Sequence, residues 1–529
     1  MRTGGQHELS CRRGARLMSL IMNTLRRHAA AMPERPAVSD GKDAIRYAEL
    51  VERVATASAL LASAGSRVAG LAADNGIDWI VADLAALQAG VTLVPIPPFF
   101  SPRQVDHLLG AARVDTLIVD PAMAAGFAGF EPVDGAIGRL SLKRHAGYDD
   151  SAGAGRSAVA KITFTSGSTG QPRGVCLPAG LIDTVAAGLA DALSDLLIER
   201  HLCVIPLATL LENIAGVYVP LMLGSTVHAP SLSTLGLYGS SHIDPLAFRD
   251  AVERAGAESL ILQPELLRAL IAAYREDGEV NRQLKFVAVG GARVADADLV
   301  AAAAHGIPAF QGYGLSECAS VVALNRPGDV RPGSVGRPLP GVAVSIAADG
   351  EILVGNQSMS GYLGEEDGEP GIIHTGDLGH LDEDGYLYVT GRKKNVFITS
   401  FGRNVSPEWP EAELAHERAI AQACVFGEAQ PVNTAIIVPA GPATSADAIE
   451  AAVTRANRRL PDYARVSEWI VADSAFSPAN GLLTPTGKPR REAIALRYLV
   501  GETAPARTSL VPRRATSSQD PQGTHHDFF

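Results

Sequence analysis

Short apolar runs alternate with amphipathic segments early in the chain, and this alternation restricts the fold more than any other feature. The apolar runs predict strands at Val68–Ala72, Val91–Ile96 and Thr116–Val119. Helical spacing predicts helices at Asp78–Ala89 and Pro102–Ala112 between them. Because strands that alternate with helices form βαβ units, we predict an α/β fold with a parallel sheet whose ligands bind at the carboxyl ends of its strands.

The chain has 529 residues, which exceeds what one hydrophobic core accommodates, so at least two domains are expected. Short β runs and Gly/Pro turns extend from Ser334 to Val389, and a small α/β pattern starts after Gly391. The C-terminal tail is rich in Ser, Thr, Pro, Arg and His, which is typical of disorder. We predict an N-terminal extension over 1–22, with disorder as one interpretation, a large domain over 23–391, a small domain over 392–500 and a disordered tail over 501–529.

Composition excludes some classes of function. The net charge of −11 argues against a general nucleic-acid binder, whose affinity depends on neutralising phosphates. The five cysteines are scattered and form no Cys-x-x-Cys pair, which indicates free thiols and a cytoplasmic location. The apolar runs are all shorter than the roughly 18 residues that a membrane-spanning helix needs.

A loop rich in glycine and hydroxyl residues follows the predicted strand Val159–Phe164. Glycines free its backbone N–H groups to approach a ligand, so the loop is suited to holding phosphate. A flexible Gly/Ser linker is the alternative, although a linker needs no proline and basic residue at a fixed distance from its glycines. The sequence differs from a Walker A loop, because no Gly-Lys-Ser/Thr closes it. The candidate phosphate-binding residues are Thr165, Ser166, Gly167, Ser168, Thr169, Gly170 and Arg173.

Two later apolar runs, Leu202–Leu207 and Leu284–Val289, are also predicted strands. The second leads into Gly290 and Gly291, where a flat ligand could approach the backbone closely.

Five further segments follow the loop in order: Gln311–Glu317, Thr375–Leu378, Gly391–Lys394, Phe401–Glu408 and Asn480–Lys488. The first combines an aromatic ring, a hydroxyl and a carboxylate on a glycine-containing turn. The second places an acid beside glycine, where it could accept hydrogen bonds from two ribose hydroxyls. The last presents one lysine on a turn. Each segment alone also fits an ordinary turn, a helix cap or a solvated charge.

Taken together, these six motifs resemble the adenylate-forming superfamily of acyl-CoA synthetases, luciferases and peptide-synthetase adenylation domains. The resemblance extends from about Leu25 to Leu499. It implies a large N-terminal adenylation domain with parallel and mixed sheets flanked by helices, a small mobile α+β C-terminal domain, and an active site between the two.

The resemblance also implies a reaction: ATP converts a carboxylic acid to acyl-AMP with release of pyrophosphate, and the acyl group then passes to CoA. The enzyme would neutralise charge that develops on the phosphates. By resemblance, the loop from Thr165 to Arg173 holds the β- and γ-phosphates, Glu317 with Thr165 carries Mg²⁺, and Lys488 is the adenylation lysine.

The other site residues are likewise assigned by resemblance. Gly291, Gln311, Gly312 and Tyr313 would bind adenine, Ser316 the α-phosphate, Asp377 the ribose, and Arg392 the ribose or a phosphate. Lys394 would stand at the hinge about which the small domain rotates, bringing the segment around Gly402 to the site for the pantetheine thiol.

Three positions depart from the family pattern. Arg173 replaces the usual lysine, so a planar fork replaces a point charge. Ser316 replaces threonine and keeps the hydroxyl. Thr209, in the segment Pro206–Asn213, stands where the family has histidine or an aromatic residue, which puts the role of that position in doubt.

The Pro-Leu-Ala-x-x-x-Glu form of that segment is most similar to long-chain fatty acyl-CoA synthetases, so we predict a medium- or long-chain fatty acid as the substrate. The expected small molecules are the acid, ATP, Mg²⁺ and CoA. A separate acyl carrier protein with phosphopantetheine, or an amine, is the alternative acceptor. A catalytically silent nucleotide-binding homologue is the alternative from another class. The oligomeric state is left open.

Overall fold

The computed structural model describes residues 19–147, 159–165, 172–238, 242–278, 280–356, 359–365, 371–401, 403–485, 487–500 and 508–509. The chain divides into two compact units between Val389 and Thr390.

The first unit contains both helices and strands among its described residues. The helices are α1 Leu20–Ala31, α2 Tyr47–Ser63, α3 Ile77–Ala89, α4 Pro102–Ala112, α5 Ala179–Leu193, α6 Val219–Met222, α7 Pro245–Arg254, α8 Pro264–Asp277 and α9 Asp296–Ala304, with a π-helix at Glu212–Tyr218. The strands are β1 Pro36–Ser39, β2 Ala44–Arg46, β3 Val68–Ala72, β4 Thr92–Pro95, β5 Thr116–Val119, β6 Phe130–Ile137, β7 Leu140–His145, β8 Val159–Thr165, β9 Arg173–Pro178, β10 Arg200–Leu202, β11 Thr226–His228, β12 Leu237–Tyr238, β13 His242–Ile243, β14 Ser259–Leu262, β15 Phe286–Val289, β16 Ala309–Tyr313, β17 Ala323–Leu324, β18 Arg337–Pro338, β19 Ala343–Ile346, β20 Glu351–Gly355, β21 Ile372–Leu381 and β22 Leu387–Arg392, the last of which crosses the boundary.

Two large sheets organise this unit. The nine-stranded sheet has the order β18-β17-β16-β15-β14-β10-β11-β1-β2, and the seven-stranded sheet has the order β6-β7-β5-β3-β4-β8-β9. Strands β14, β15 and β16 run parallel, with Leu262 opposite Val289 and Val289 opposite Gln311. The predicted α/β class with parallel and mixed sheets is therefore confirmed.

Helix α3 shows how the core is built. All residues from Ile77 to Ala86 are buried, as expected for a helix whose surface is apolar almost all round. Asp83 is a charged residue in the middle of this apolar helix, and it is only 1% exposed. Such a group requires a buried partner, which is Lys161 of β8 at 2.7 Å.

The second unit forms its own small α+β core around Trp469 and Leu414. Its elements are β23 Phe397–Ile398, β24 Asn404–Val405, α10 Glu408–Ala415, β25 Ile420–Phe426, β26 Asn433–Pro439, α11 Ala446–Asn457, β27 Val466–Val471, α12 Arg491–Tyr498 and β28 Thr508–Ser509.

Two predicted boundaries need correction. Leu20, Ile21 and Met22, placed in the N-terminal extension, begin α1, because Ile21 and Met22 are buried against the first unit's core. In the tail predicted to be disordered, β28 pairs antiparallel with β27, so backbone hydrogen bonding orders this segment. Among the described residues, no helix is both long and apolar enough to cross a membrane.

Candidate active site

The candidate phosphate-binding loop lies between the two strands of a hairpin. Strands β8 and β9 pair antiparallel, and their register places Thr165 opposite Arg173. The Thr165 hydroxyl lies 3.5 Å from the carbonyl oxygen of Arg173. The predicted phosphate ligands Ser166, Gly167, Ser168, Thr169 and Gly170 lie outside the described residues.

Arg173 is held at the hairpin by two groups from a distant part of the chain. Its guanidinium carbon lies 3.6 Å from the centroid of the Tyr362 ring, and its Nη2 lies 2.5 Å from Oε1 of Glu365. A planar cation over an aromatic face is attracted by the electron density of the ring. Since the Arg173 side chain is 48% exposed, it is both oriented and accessible to an anion.

Tyr362 also contacts the candidate metal ligand. Its hydroxyl donates a 2.7 Å hydrogen bond to Oε1 of Glu317. Burial, followed by the negative charge of Glu317, raises the pKa of Tyr362, so the hydroxyl remains a donor. One aromatic side chain therefore connects Arg173 to Glu317.

Sequence reasoning missed Tyr362. The segment that carries it lies beside β9: the Ser360 N–H donates to the carbonyl of Cys176 at 2.8 Å, and the Leu363 N–H donates to that of Gly174 at 2.7 Å. A tyrosine after glycine was the only local sign, and such a pair is common in turns.

A strained turn supports Glu317. Ala319 and Ser320 have φ values of 52° and 100°, a region that residues with side chains seldom adopt. A Cβ on Gly314 would lie 1.6 Å from the Ser320 carbonyl oxygen. The buried Ser320 hydroxyl has no hydrogen-bond partner in the part of the chain that the structure describes. Such strain is frequent at functional sites.

The candidate ribose acceptor also has an aromatic partner. The Tyr313 hydroxyl donates a 2.7 Å hydrogen bond to Oδ2 of Asp377, and Asp377 is only 4% exposed. The Gly376 N–H donates to Oε1 of Glu351 at 2.9 Å, which fixes the turn that presents Asp377. The structure thus brings two predicted site residues into direct contact.

The candidate adenine-binding residues lie at the carboxyl ends of adjacent parallel strands. Gly291 follows β15, has a φ of 84°, and has open space where a Cβ would stand. Gln311 and Gly312 lie on β16. Ser316 begins a short 3₁₀ turn that also contains Glu317.

The remaining predicted site residues belong to the second unit, apart from Gly402, which lies outside the described residues. Lys488 is exposed on a turn closed by two hydrogen bonds, from the Thr484 N–H to the Lys488 carbonyl at 2.8 Å and from the Lys488 N–H to the Thr484 hydroxyl at 3.0 Å. Arg392 ends β22, and Lys394 is exposed on the turn that follows.

An apolar cavity of about 50 Å³ lies against β14 and β15. It is lined by Leu189, Leu193, Ile198, His201, Leu211, Ala215, Val219, Pro220, Leu223, Ser259, Leu260, Ile261, Phe286, Ala288, Val321 and Leu324. Among the apolar residues of the π-helix and α6, Ala215 and Val219 line this cavity, whereas Ile214, Val217 and Leu221 are buried in the core and Met222 packs against it. Its volume is far below the roughly 300–1,000 Å³ of typical ligand sites.

Comparison with known proteins identifies the family of the chain. The family model for AMP-binding enzymes matches residues 25–373, and that for the AMP-binding enzyme C-terminal domain matches residues 394–499. The long-chain-fatty-acid–CoA ligase FadD15 of Mycobacterium bovis is 30% identical over 82% of this chain and 87% of its own length. Feruloyl-CoA synthase of Amycolatopsis sp is 31% identical over 78% of this chain and 87% of its own length.

Among solved structures, o-succinylbenzoate CoA synthetase of Bacillus subtilis in complex with its acyl-adenylate superposes with a TM-score of 0.71 at 22% identity, covering 89% of this chain and 97% of that chain. At this identity the match supports the fold alone. The predicted resemblance to adenylate-forming enzymes is confirmed by the two family models. The chain belongs to the AMP-binding enzyme family and, like the acyl-CoA ligases among its curated relatives, is an AMP-forming acid–thiol ligase.

Proposed function

We propose that this enzyme uses ATP to convert a carboxylic acid to acyl-AMP, releases pyrophosphate, and transfers the acyl group to the thiol of CoA. The observation that carries the proposal is the Arg173–Tyr362–Glu317 cluster at the end of the β8–β9 hairpin. It combines an oriented cation for phosphate with a carboxylate for a metal ion, as charge stabilisation during adenylation requires.

Mg²⁺ fits the residues present. The Tyr362 hydroxyl bonds to one oxygen of Glu317, and a carboxylate has further acceptor capacity on both oxygens. Mg²⁺ prefers oxygen ligands and retains water, so Glu317 with Thr165 would hold it beside the phosphates. Its chemistry would be to neutralise phosphate charge.

The nucleotide itself would lie along the ends of β15 and β16. Gly291, Gln311, Gly312 and Tyr313 are the proposed adenine contacts, Ser316 the α-phosphate contact, and Asp377 the ribose acceptor. In the second unit, Arg392 would contact ribose or phosphate, and Lys488 would bridge the carboxylate and the α-phosphate. The small domain, comprising about 392–500, is proposed to rotate about Lys394 and present the segment around Gly402 to the pantetheine thiol.

A medium- or long-chain fatty acid is the first candidate substrate, because the Pro206–Asn213 segment resembles long-chain synthetases and a FadD15 relative is among the matches. An aromatic acid is the second candidate, favoured by the similarity to feruloyl-CoA synthase.

CoA is the proposed acceptor, with a carrier-protein thiol or an amine as the alternative and a catalytically silent homologue as the alternative of another class. One observation argues against a silent homologue: Asp377 and Glu317 each accept a hydrogen bond from a tyrosine hydroxyl. This arrangement is suited to keeping both carboxylates oriented. The cytoplasm is the proposed location, since the described cysteines are free and buried.

The decisive experiment measures pyrophosphate release from ATP and Mg²⁺ with a panel of fatty, aryl and arylpropenoic acids, each with and without CoA. We expect release with at least one acid class and a thioester when CoA is added. No release with any acid would refute the enzyme assignment. Release that yields a hydroxamate with hydroxylamine but no thioester with CoA would refute the acceptor.

Replacing Arg173 with lysine tests the first departure from the family. The flat guanidinium rests on Tyr362, and lysine keeps the charge but loses this stacking. Cation–π contacts at exposed sites contribute about 0.5–1 kcal/mol, so the dissociation constant for ATP should rise roughly two- to fivefold, as measured by calorimetry. Arg173→Ala, which also removes the charge, should weaken ATP binding more than Arg173→Lys does. If Arg173→Lys bound ATP with unchanged or tighter affinity, the stacking of Arg173 on Tyr362 would not contribute to ATP binding.

Replacing Asp377 with asparagine tests the ribose site. The change keeps the shape of the side chain and an oxygen for Tyr313 but removes the negative charge. Because hydrogen bonds to charged groups contribute about 1.5–3 kcal/mol, ATP affinity should fall by about tenfold or more. Affinity for inorganic pyrophosphate, which lacks ribose, is the internal control and should be unchanged. Equal losses for both ligands would argue for general damage to the site.

A further inference from the structure

Three potential metal ligands lie together beside the apolar cavity, whose lining includes His201. His201 lies on β10, Cys203 directly follows that strand, and Glu212 begins the π-helix. Their candidate ligand atoms all lie within 4.8 Å of one another, with Nε2 of His201 3.3 Å from Oε1 of Glu212. All three residues are buried, at 3%, 0% and 0% exposure.

The second carboxylate oxygen of Glu212 is the observation that points to a ligand. Oε2 is buried and accepts no hydrogen bond of normal geometry from the described residues, although the Cys203 thiol and the Ile205 N–H lie near the carboxylate and a buried polar atom left unpaired is costly. A cation between the three side chains would satisfy it.

Two neighbouring residues favour metal binding between these three side chains. The Ser259 hydroxyl lies 2.8 Å from Nδ1 of His201, an outer partner that orients a metal-binding imidazole and leaves Nε2 for the ion. Gly216 keeps the space open, because a Cβ there would lie 2.5 Å from Oε1 of Glu212 and 2.9 Å from Nε2 of His201.

We propose that His201, Cys203 and Glu212 bind a single zinc-class divalent ion that joins β10 to the π-helix. Nitrogen, thiolate and carboxylate donors are the set that zinc takes in proteins, whereas Mg²⁺ takes oxygen donors. One thiolate and one carboxylate neutralise a dication, so the buried site carries no net charge, which limits the cost of its burial.

The competing arrangement is metal-free, with a protonated Glu212 carboxyl beside the His201 ring. Burial raises the pKa of the Glu212 carboxyl, which favours this state whenever no ion is present. The two arrangements differ in whether the Cys203 sulfur is bound to a metal, and that difference can be observed directly.

The test uses the full chain purified without chelator. We expect about one zinc ion per chain by mass spectrometry. After exchange for Co²⁺, we expect a near-ultraviolet thiolate-to-cobalt band and the visible bands of a tetrahedral site. Cys203→Ser should abolish the thiolate band, and Glu212→Gln should weaken cobalt affinity at least tenfold. Cys176→Ser, which removes another buried thiol, should preserve both.

A variant lacking the tail imidazoles, His525→Ala with His526→Ala, separates this site from binding by the tail. Retention of the thiolate band in this variant supports the buried site, and its loss would overturn the proposal. Absence of the band in the unaltered chain would also overturn it, and this result does not depend on whether the Cys203 and Glu212 variants fold.

Discussion

Replacement of Lys488 by alanine is expected to abolish adenylation while leaving the second half-reaction largely intact. The ammonium is proposed to neutralise charge that develops on the carboxylate and α-phosphate, and removing one such donor costs roughly 10²–10³-fold in rate. Acid-dependent pyrophosphate release should fall by this factor. Thioester formation from supplied acyl-AMP and CoA, which needs no charge stabilisation by this lysine, should change little.

Arg490→Ala is the matched control, because Arg490 is an exposed cation two residues away whose guanidinium donates to the Gly481 carbonyl at 3.2 Å. This variant should retain both half-reactions. If Lys488→Ala lost both half-reactions equally, the assignment of Lys488 to adenylation alone, and with it the proposed domain rotation, would be refuted.

The second large effect concerns stability and centres on the buried pair Asp83 and Lys161. Asp83→Asn keeps the shape of the side chain but leaves the Lys161 ammonium without its anion. Breaking a buried pair on one side costs about 3–5 kcal/mol, so the free energy of unfolding in urea should fall by that amount. Tryptophan fluorescence can follow the transition, since Trp79 is buried on the same helix.

The pH dependence of this variant has a definite sign. Burial already lowers the pKa of Lys161, and loss of the Asp83 charge lowers it further. The unfolded chain then binds a proton that the folded variant binds less well, so the variant's stability should rise with pH until the unfolded lysine titrates near about 10.4.

Glu49→Gln is the control for the buried pair. Glu49 pairs with Arg53 on the surface of α2, where both side chains are more than 40% exposed. This change should lower the free energy of unfolding by less than about 1 kcal/mol. A loss for Asp83→Asn no larger than that for Glu49→Gln would mean that the buried pair does not contribute as inferred.

Much of the fold could be predicted from local pattern. The helix Pro102–Ala112 and the strands Val68–Ala72 and Thr116–Val119 have the predicted bounds. The predicted strand Leu202–Leu207 was wrong beyond Leu202. Its later residues are apolar because they are buried, and the Leu207 N–H donates to the side chain of Asn75 at 2.8 Å rather than to a neighbouring strand.

The candidate site, like the fold, could be predicted only in part from the sequence. The order of the motifs assigns roles to Arg173, Glu317 and Asp377 by resemblance, because loops that hold nucleotides use recognisable residue types, and these roles stay predictions. The tyrosines that orient these groups could not be assigned, since the contact of Tyr362 depends on backbone pairing with β9, far away in sequence. The polar cluster of Asp83, Lys161 and the π-helix side chains could not be predicted either, because it joins three elements that are distant in sequence, α3, β8 and the π-helix.

Asp83 also accepts hydrogen bonds from two side chains of the π-helix Glu212–Tyr218, at 2.8 Å from Asn213 and 2.6 Å from Tyr218. These donors are five residues apart, the spacing that a π turn closes. In a regular α-helix each residue turns by about 100°, so two side chains five residues apart would point about 140° away from each other and could not both reach one carboxylate. The π turn therefore lets both donors reach Asp83 of α3, and a return to regular α-helical winding between Asn213 and Tyr218 would withdraw one of them.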